Sequence, residues 1–113
     1  KALHNSAYTQ PRDLPEWGER IFSEMCCFVK PTNEAEEQQF LKQTQGYLST
    51  HVQQALQRQP MPERRQEFVD RQRYYCAQQQ QNDKTRRVLE KAFGPQWAER
   101  YMTTVLFDMP AEA

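Results

Sequence analysis

Glycine is scarce in this sequence, and its scarcity excludes one large class of sites. The three glycines, Gly18, Gly46 and Gly94, lie far apart, whereas phosphate-binding loops place several glycines within a few residues of each other. Histidine is also rare, with two residues in the chain. No His-Glu-x-x-His pattern and no calcium-binding loop occurs. The sequence therefore contains no motif typical of a nucleotide or metal site.

The chain also lacks long hydrophobic runs and a net charge. Its longest apolar run covers residues 25–29, far short of the ~20 residues that a transmembrane helix needs. The sequence therefore predicts no membrane span. Lys+Arg and Asp+Glu number 15 each, for a net charge of +0, so bulk charge does not indicate binding to a polyanion.

The three cysteines are an odd number, which argues against a disulfide framework. Cys26 and Cys27 are neighbours, and adjacent side chains on a helix diverge by about 100°. Metal sites favour cysteines with spacers between them, so a thiol or metal site here is the weaker alternative to simple packing. The count favours a reducing, cytoplasmic compartment. The start at Lys1 rather than Met leaves a secreted mature chain as the alternative.

The first part of the chain predicts an arm followed by a helix. Residues 1–12 have no apolar period, which indicates a flexible N-terminal arm. Asp13 can accept hydrogen bonds from the amides of a first turn. Apolar residues then recur at spacings of three and four until Pro31. The pattern predicts a first helix over residues 13–30.

Two further helices have clear boundaries in the sequence. Thr32 or Asn33 can cap a helix whose first turn is acidic, and Pro60 prevents its continuation, so we predict a helix over 33–59. Near the end of the chain, Gly94 supplies a left-handed cap and the following proline starts a new helix. The last predicted helix covers residues 95–108.

The third predicted helix contains a polar stretch, residues 77–87, in its middle. Asn82 or Asp83 could cap a fresh helix there, which favours a linker or break. Against a break, Phe68, Tyr75 and Phe93 keep the same helical phase on both sides of that stretch. Glutamine also propagates helices well. We predict one continuous helix over residues 62–93 and keep the break as the alternative.

These segments predict an all-α fold. A short proline-rich corner at 59–62 implies antiparallel neighbours, so we expect a four-helix domain built on a long antiparallel helical hairpin, with residues 13–113 as a single helical domain. At about 1.5 Å per residue, the second and third helices are roughly twice as long as the first and fourth. The short helices therefore cannot cover the whole hairpin, and an apolar seam stays exposed.

The exposed seam and the absence of reactive motifs predict a non-catalytic protein-interaction module. We expect a homodimer, an adapter or a chaperone-like partner, and no enzyme, catalytic residue, cofactor or metal. Aromatic side chains with polar tips anchor such contacts. The predicted partner-binding residues are Tyr74, Tyr75, Gln72, Gln79 and Tyr47.

The distribution of charge supports a second hypothesis. Residues 58–91 contain nine Lys+Arg and five acids, a local charge of +4. The arginines could bind phosphates, and the tyrosines between them could stack on bases. Acidic residues three or four positions away could instead neutralise the arginines. The alternative is a nucleic-acid-binding or regulatory protein that uses Arg64, Arg65, Arg71, Arg73, Arg86 and Arg87 of the third helix.

Overall fold

The computed structural model describes residues 7–112 and confirms the all-α class. Within those residues the backbone forms no β-strand, only a single antiparallel bridge between Pro11 and Val29. The helices are α1 (Glu16–Glu19), α2 (Glu34–Gln57), α3 (Arg65–Gln79), α4 (Asp83–Phe93) and α5 (Pro95–Tyr101). A 3₁₀ turn (Pro62–Arg64) precedes α3, and a π-helix (Met102–Leu106) follows α5.

The chain divides into two compact units. Of the described residues, unit 1 contains 7–14 and 22–60, and unit 2 contains 15–21 and 61–112. The second and third predicted helices lie in different units, so their antiparallel packing stays a prediction. The single helical domain over 13–113 likewise stays a prediction.

The predicted helix over 13–30 is wrong, because α1 stops after one turn. Residues 28–30 instead run antiparallel to residues 10–12. The Arg12 amide donates to the Phe28 carbonyl at 2.9 Å, and the Lys30 amide donates to the Gln10 carbonyl at 2.9 Å. These bonds satisfy backbone groups that a helix would otherwise pair locally. The apolar spacing of this segment is compatible with a helix, but pairing with residues distant in sequence overrides it.

The helix predicted over 33–59 is confirmed as α2. The Asn33 side chain accepts a hydrogen bond from the Glu36 amide at 2.9 Å, so of the two predicted capping residues Asn33 caps the first turn. Beyond this turn, α2 presents many apolar side chains that the described residues leave exposed. Leu48 and Leu56 retain 62% and 81% of their accessible surface.

The predicted continuous helix over 62–93 is also wrong, and the alternative break at the polar stretch is correct. The chain leaves α3 through two tight turns, with the Gln81 and Asn82 amides each bonded to the carbonyl three residues back at 3.0 Å. The Asn82 side chain then accepts from the Thr85 amide at 3.2 Å and begins α4. The first amides of a new helix have no partner within that helix, and the Asn82 side chain satisfies one of them, the Thr85 amide.

The boundary at Gly94 is as predicted. Gly94 ends α4 with a φ of 89°, a left-handed conformation that glycine adopts without a Cβ clash. Pro95 then opens α5, which packs against α4. Ala98 and Met102 lie at the centre of this packing with no exposed surface. The last predicted helix, 95–108, is observed as α5 and the π-helix, and ends at Leu106.

No helix within residues 7–112 combines the length and the apolar character that crossing a bilayer requires.

Glu36 ties the described part of the predicted arm to unit 1. Its carboxylate accepts from the amides of Thr9 and Thr32, each at 2.8 Å, and from the Thr32 hydroxyl at 3.0 Å. Tyr8, next to this contact, is buried and donates its hydroxyl to Gln43 at 2.8 Å. Residues 7–12 are therefore held in place, while residues 1–6 of the predicted arm lie outside the described part of the chain.

Acid should weaken this attachment. The Thr9 amide, followed by the Thr32 amide, holds the pKa of Glu36 below its ordinary value. A carboxyl whose pKa is lowered by folding stabilises the protein above its unfolded pKa, about 4.3, and loses that contribution as pH falls through the lower folded pKa. We expect Glu36→Gln to reduce the unfolding free energy at pH 7 and to flatten its decline between pH 5 and 3. Urea unfolding across this range measures both effects.

The matched control is Glu37→Gln, which changes an exposed carboxylate on the same turn. If Glu36→Gln declines with pH as steeply as the unchanged protein, the attachment does not depend on the ionised carboxylate.

Two side chains of α3 and the side chain of its C-cap residue, Gln80, bind the C-terminal segment 107–110. The Gln80 amide donates to the Phe107 carbonyl at 3.0 Å, the Cys76 thiol donates to the Asp108 carbonyl at 3.4 Å, and Arg73 donates to the Pro110 carbonyl. Residues 73, 76 and 80 are spaced by three and four, so they share a helix face. The segment therefore lies along α3, held through its backbone.

Removing one of these donors should loosen the segment and expose the Cys76 thiol beneath it. One hydrogen bond contributes about 1 kcal/mol, which corresponds to roughly a fivefold change in the open population. We expect Gln80→Leu to accelerate maleimide labelling of Cys76 by up to about that factor. Peptide-resolved mass spectrometry separates this thiol from Cys26 and Cys27.

Gln66→Leu makes the same change on α3, where the amide bonds to Asp70 instead, and should leave the labelling rate unchanged. Equal labelling rates in the two variants would contradict the role of Gln80.

Candidate functional site

The predicted partner-binding residues divide between the two units. Tyr47 lies on α2 in unit 1, where its hydroxyl donates to the Met25 carbonyl at 2.9 Å. Gln72, Tyr74, Tyr75 and Gln79 lie on α3 in unit 2, and the Gln79 amide donates to the Tyr75 hydroxyl at 2.9 Å. The structure thus brings four of the five onto one helix, and their role as a binding surface stays a prediction.

A shallow cavity of about 380 Å³ lies between α3 and the C-terminal segment. It is lined by Arg71, Gln72, Tyr75, Cys76, Asp108 and Pro110. Two of the predicted partner-binding residues therefore face the cavity, which is bounded by the segment that Gln80 and Arg73 hold in place.

Most of the predicted nucleic-acid arginines have partners within unit 2. Arg64 and Arg71 both pair with Glu67, at 2.7 and 2.6 Å. Arg73 bonds to the C-terminal segment, and Arg86 pairs with Glu99 and donates to the Gln80 carbonyl at 2.8 Å. Within residues 7–112, Arg65 and Arg87 have no ion pair. The arginines therefore do not form one continuous free cationic face.

A different set of cations does form such a face, and sequence reasoning missed it. Lys84, Arg87 and Lys91 lie on α4 at spacings of three and four, and each is exposed. In the described part of the chain no carboxylate pairs with any of them. We call these three residues the basic stripe. The signal was their i, i+3, i+7 spacing, which the predicted helix over 62–93 already contained.

The turn between α3 and α4 concentrates side-chain amides. We call residues Gln78, Gln79, Gln80, Gln81 and Asn82 the polar corner. Gln78 and Gln79 retain only 8% and 7% of their surface, and Gln81 donates to Gln78 at 3.2 Å. An amide both donates and accepts hydrogen bonds, so the polar corner can bind a ligand that carries N–H and C=O groups.

Unit 1 contains a second polar cluster, formed by Tyr8, Cys27 and Gln43. The Cys27 thiol donates to the same Gln43 oxygen as Tyr8, at 3.7 Å. Burial is the main cause that raises the pKa of Tyr8, and burial also raises the pKa of Cys27 and of Cys26. The thiols therefore stay protonated near neutral pH, and a protonated thiol is a poor nucleophile and metal ligand.

No group of three or more metal-ligating side chains comes together within residues 7–112. The cysteines there are all free thiols, half-buried in the structure.

Comparison with known proteins identifies the family. A family model described as "Ferredoxin-dependent bilin reductase" matches residues 1–108. The phycocyanobilin:ferredoxin oxidoreductase of Trichodesmium erythraeum is 54% identical over 111 residues, which cover 97% of this chain and 45% of that protein. The proteins of the same name from Synechococcus sp. and Synechococcus elongatus are each 50% identical over 113 residues, 98% of this chain and 45% of those proteins.

These relationships overturn the functional prediction made from the sequence. A non-catalytic interaction module is wrong, and so is the nucleic-acid-binding alternative, because the matching family consists of reductases. The prediction that the chain is not an enzyme is wrong for the same reason. The chain spans less than half the length of the relatives named here. The match over residues 1–108 and the identity of 50–54% show that the chain belongs to the ferredoxin-dependent bilin reductase family.

Proposed function

We propose that this chain is part of an enzyme that reduces a bilin to phycocyanobilin with electrons from ferredoxin. The observation that carries the proposal is the family match, which covers residues 1–108, together with 54% identity to a phycocyanobilin:ferredoxin oxidoreductase. The reaction needs three things from the protein: a site for the bilin, a source of protons and access for the electron donor. An iron–sulfur protein such as ferredoxin supplies the electrons, so the enzyme itself needs no reactive nucleophile.

The polar corner is the described surface whose chemistry best matches a bilin. A bilin is a linear tetrapyrrole with pyrrole N–H groups and terminal carbonyls, and recognising both kinds of group requires donors and acceptors together. Gln78 and Gln79 are nearly buried, and their amides offer both. Contacts with Gln81 and Tyr75 orient them before any ligand arrives. A buried amide that a ligand fails to satisfy costs free energy, which gives such a site its specificity.

Neighbouring contacts hold the corner in one geometry. Arg86 donates to the Gln80 carbonyl at 2.8 Å while pairing with Glu99 on α5. Asn82 fixes the start of α4 through its bond to the Thr85 amide. A binding site works best when its side chains are positioned in advance by such supporting bonds. Of the residues first predicted to bind a partner, Tyr75 and Gln79 belong to this arrangement.

The exposed apolar face of α2 supports a larger protein around this site. Leu41, Leu48 and Leu56 keep 54%, 62% and 81% of their surface, and leaving such a row in water is unfavourable. The relatives are about twice as long as the aligned region. We infer that α2 packs against the remaining part of the family's length, and that catalysis requires that part.

A cytoplasmic location is consistent with this function. Cys26, Cys27 and Cys76 are all free thiols, and thiols persist in reducing compartments.

A chimera tests the proposal directly. In the Trichodesmium erythraeum protein, the aligned stretch is replaced by this chain, which is 54% identical to it. Reduced ferredoxin and an oxidised bilin are added, and phycocyanobilin formation is followed by absorbance. We expect the chimera to retain activity.

In the chimera, Gln79→Leu should lower turnover by roughly tenfold, because a lost hydrogen bond in a buried site costs about 1–3 kcal/mol. The matched control is Gln96→Leu, which removes an exposed amide from α5 and should leave turnover unchanged. A chimera with native-like circular dichroism but no bilin reduction would refute the proposed function. Equal activity of the two variants would show that the polar corner does not bind the bilin.

A further inference from the structure

The hydrogen bonds between α3 and the C-terminal segment 107–110 lie along the two helical turns that lead into the polar corner. Arg73, the Cys76 thiol and the Gln80 amide each donate to a backbone carbonyl of the segment. Arg73 reaches residue 110 and Gln80 reaches residue 107, so the segment runs antiparallel to α3. The bonded stretch of α3 is about 10 Å long, at 1.5 Å per residue.

These last turns of α3 have little apolar packing among the described residues. The buried residues of α3 are the polar side chains Gln78 and Gln79, whereas Tyr74 and Tyr75 keep 50% and 41% of their surface. The final carbonyls of a helix have no partner within it, and helix ends open at low free-energy cost. Polar bonds to neighbouring segments therefore supply order that apolar burial does not supply here.

Gln80 connects the segment to the other supports of the polar corner. Its backbone amide donates to the Cys76 carbonyl at 2.9 Å, and its carbonyl accepts from Arg86 at 2.8 Å. The stretch between Gln80 and Phe107 contains α4 and α5, which pack against each other. The bond from the Gln80 side chain to the Phe107 carbonyl closes this stretch into a loop. The end of α3 is therefore held both by α4 and by the segment.

We propose that the C-terminal segment 107–110 is a positioning element for the bilin. It holds the last two turns of α3, so that Gln78 and Gln79 keep the orientation in which they recognise the ligand. Arg73 and Cys76 are then positioning residues, which act through the segment and α3. This inference rests on the proposed function, because that function assigns the bilin to the polar corner.

A positioning role has a kinetic signature. When a ligand binds only one of two states, its apparent Kd rises as the fraction of that state falls. Saturating bilin shifts the population back to the state with the segment bound, so turnover at saturation recovers. Loss of the segment contacts should therefore raise the KM for the bilin and leave kcat unchanged. A general loss of structure would instead lower kcat.

The test compares two double variants of the chimera. The first, Arg73→Leu with Cys76→Val, removes two donors to the segment and leaves every residue of the polar corner in place. The control, Arg65→Leu with Gln66→Leu, changes two exposed positions at the start of α3, where the Gln66 amide bonds to Asp70 instead. For each, absorbance titration gives the Kd for phycocyanobilin, and ferredoxin-driven reduction gives the bilin KM and kcat.

Each lost hydrogen bond should increase release of the segment by about fivefold. We expect the first double variant to raise both the phycocyanobilin Kd and the bilin KM by at least about threefold over the control, with kcat within about twofold. A smaller rise in the Kd would overturn the proposal. A kcat that falls while the KM stays constant would overturn it as well.

A single change keeps the test decisive if the double variant loses its helical circular dichroism. Arg73→Leu is then compared with Arg65→Leu, and a rise of at least about twofold in the phycocyanobilin Kd is expected because one donor is lost. Arg73→Lys, which retains an N–H donor, should bring the Kd back toward that of the unaltered chimera. Equal Kd values for Arg73→Leu and Arg65→Leu would overturn the proposal.

Failure of the proposed function gives a different result. In that case the unaltered chimera reduces no bilin with ferredoxin, and the phycocyanobilin Kd alone decides the positioning role. A Kd that is weakened only by the changes at Arg73 and Cys76 supports it, and absence of phycocyanobilin binding by the unaltered chimera overturns it. If only the positioning role fails, the chimera reduces the bilin and the two double variants have equal Kd values.

Discussion

The hydrogen bond from the Thr85 amide to the Asn82 side chain governs the geometry of unit 2. Because Asn82 caps a new helix, α3 ends at Gln79 and α4 begins in a different phase. Because α3 ends there, the Gln80 side chain donates to the C-terminal segment and the Gln80 carbonyl accepts from Arg86. The start of α4 fixes which side of that helix faces water. The polar corner and the contact between Gln80 and the C-terminal segment thus both lie at the helix break that Asn82 caps.

Polar contacts, more than apolar burial, hold the described residues together. Tyr8, Ala98 and Met102 are the buried hydrophobic side chains of residues 7–112, whereas Glu36, Gln78 and Gln79 are buried and polar. In that range, no buried side-chain nitrogen or oxygen lacks a hydrogen bond, which removes the penalty for burying them. An apolar core this small is marginal for a chain of this length. The relatives named above are about twice as long as the aligned region.

Sequence reasoning succeeded where local chemistry decides the structure. Asn33 and Gly94 each fix a helix boundary through their own side chain or φ angle, so α2 and the start of α5 could be predicted. It failed over residues 22–30, where bonds from Arg12 and Lys30 pair distant segments. A 3.6-residue period carries no information about such pairing. Residues 77–87 carried two opposing signals: an asparagine that can cap a new helix, and apolar residues that keep one helical phase on both sides. The cap decided the structure, because only a few residues supported the continuous phase.

The candidate site was harder to predict than the fold, because reductive chemistry driven by an external donor leaves few marks in a sequence. Motif searches look for a nucleophile, a phosphate loop or clustered metal ligands, and ferredoxin carries the metal itself. Under the proposed function this chain supplies oriented amides, and side-chain amides are common on ordinary helices. Net charge is equally uninformative: the chain totals +0, yet Arg71 is neutralised by Glu67 while Arg87 is not neutralised by any described carboxylate. The pairing of individual charges, which only the three-dimensional structure reveals, separates a solvated helix face from one that can attract a partner.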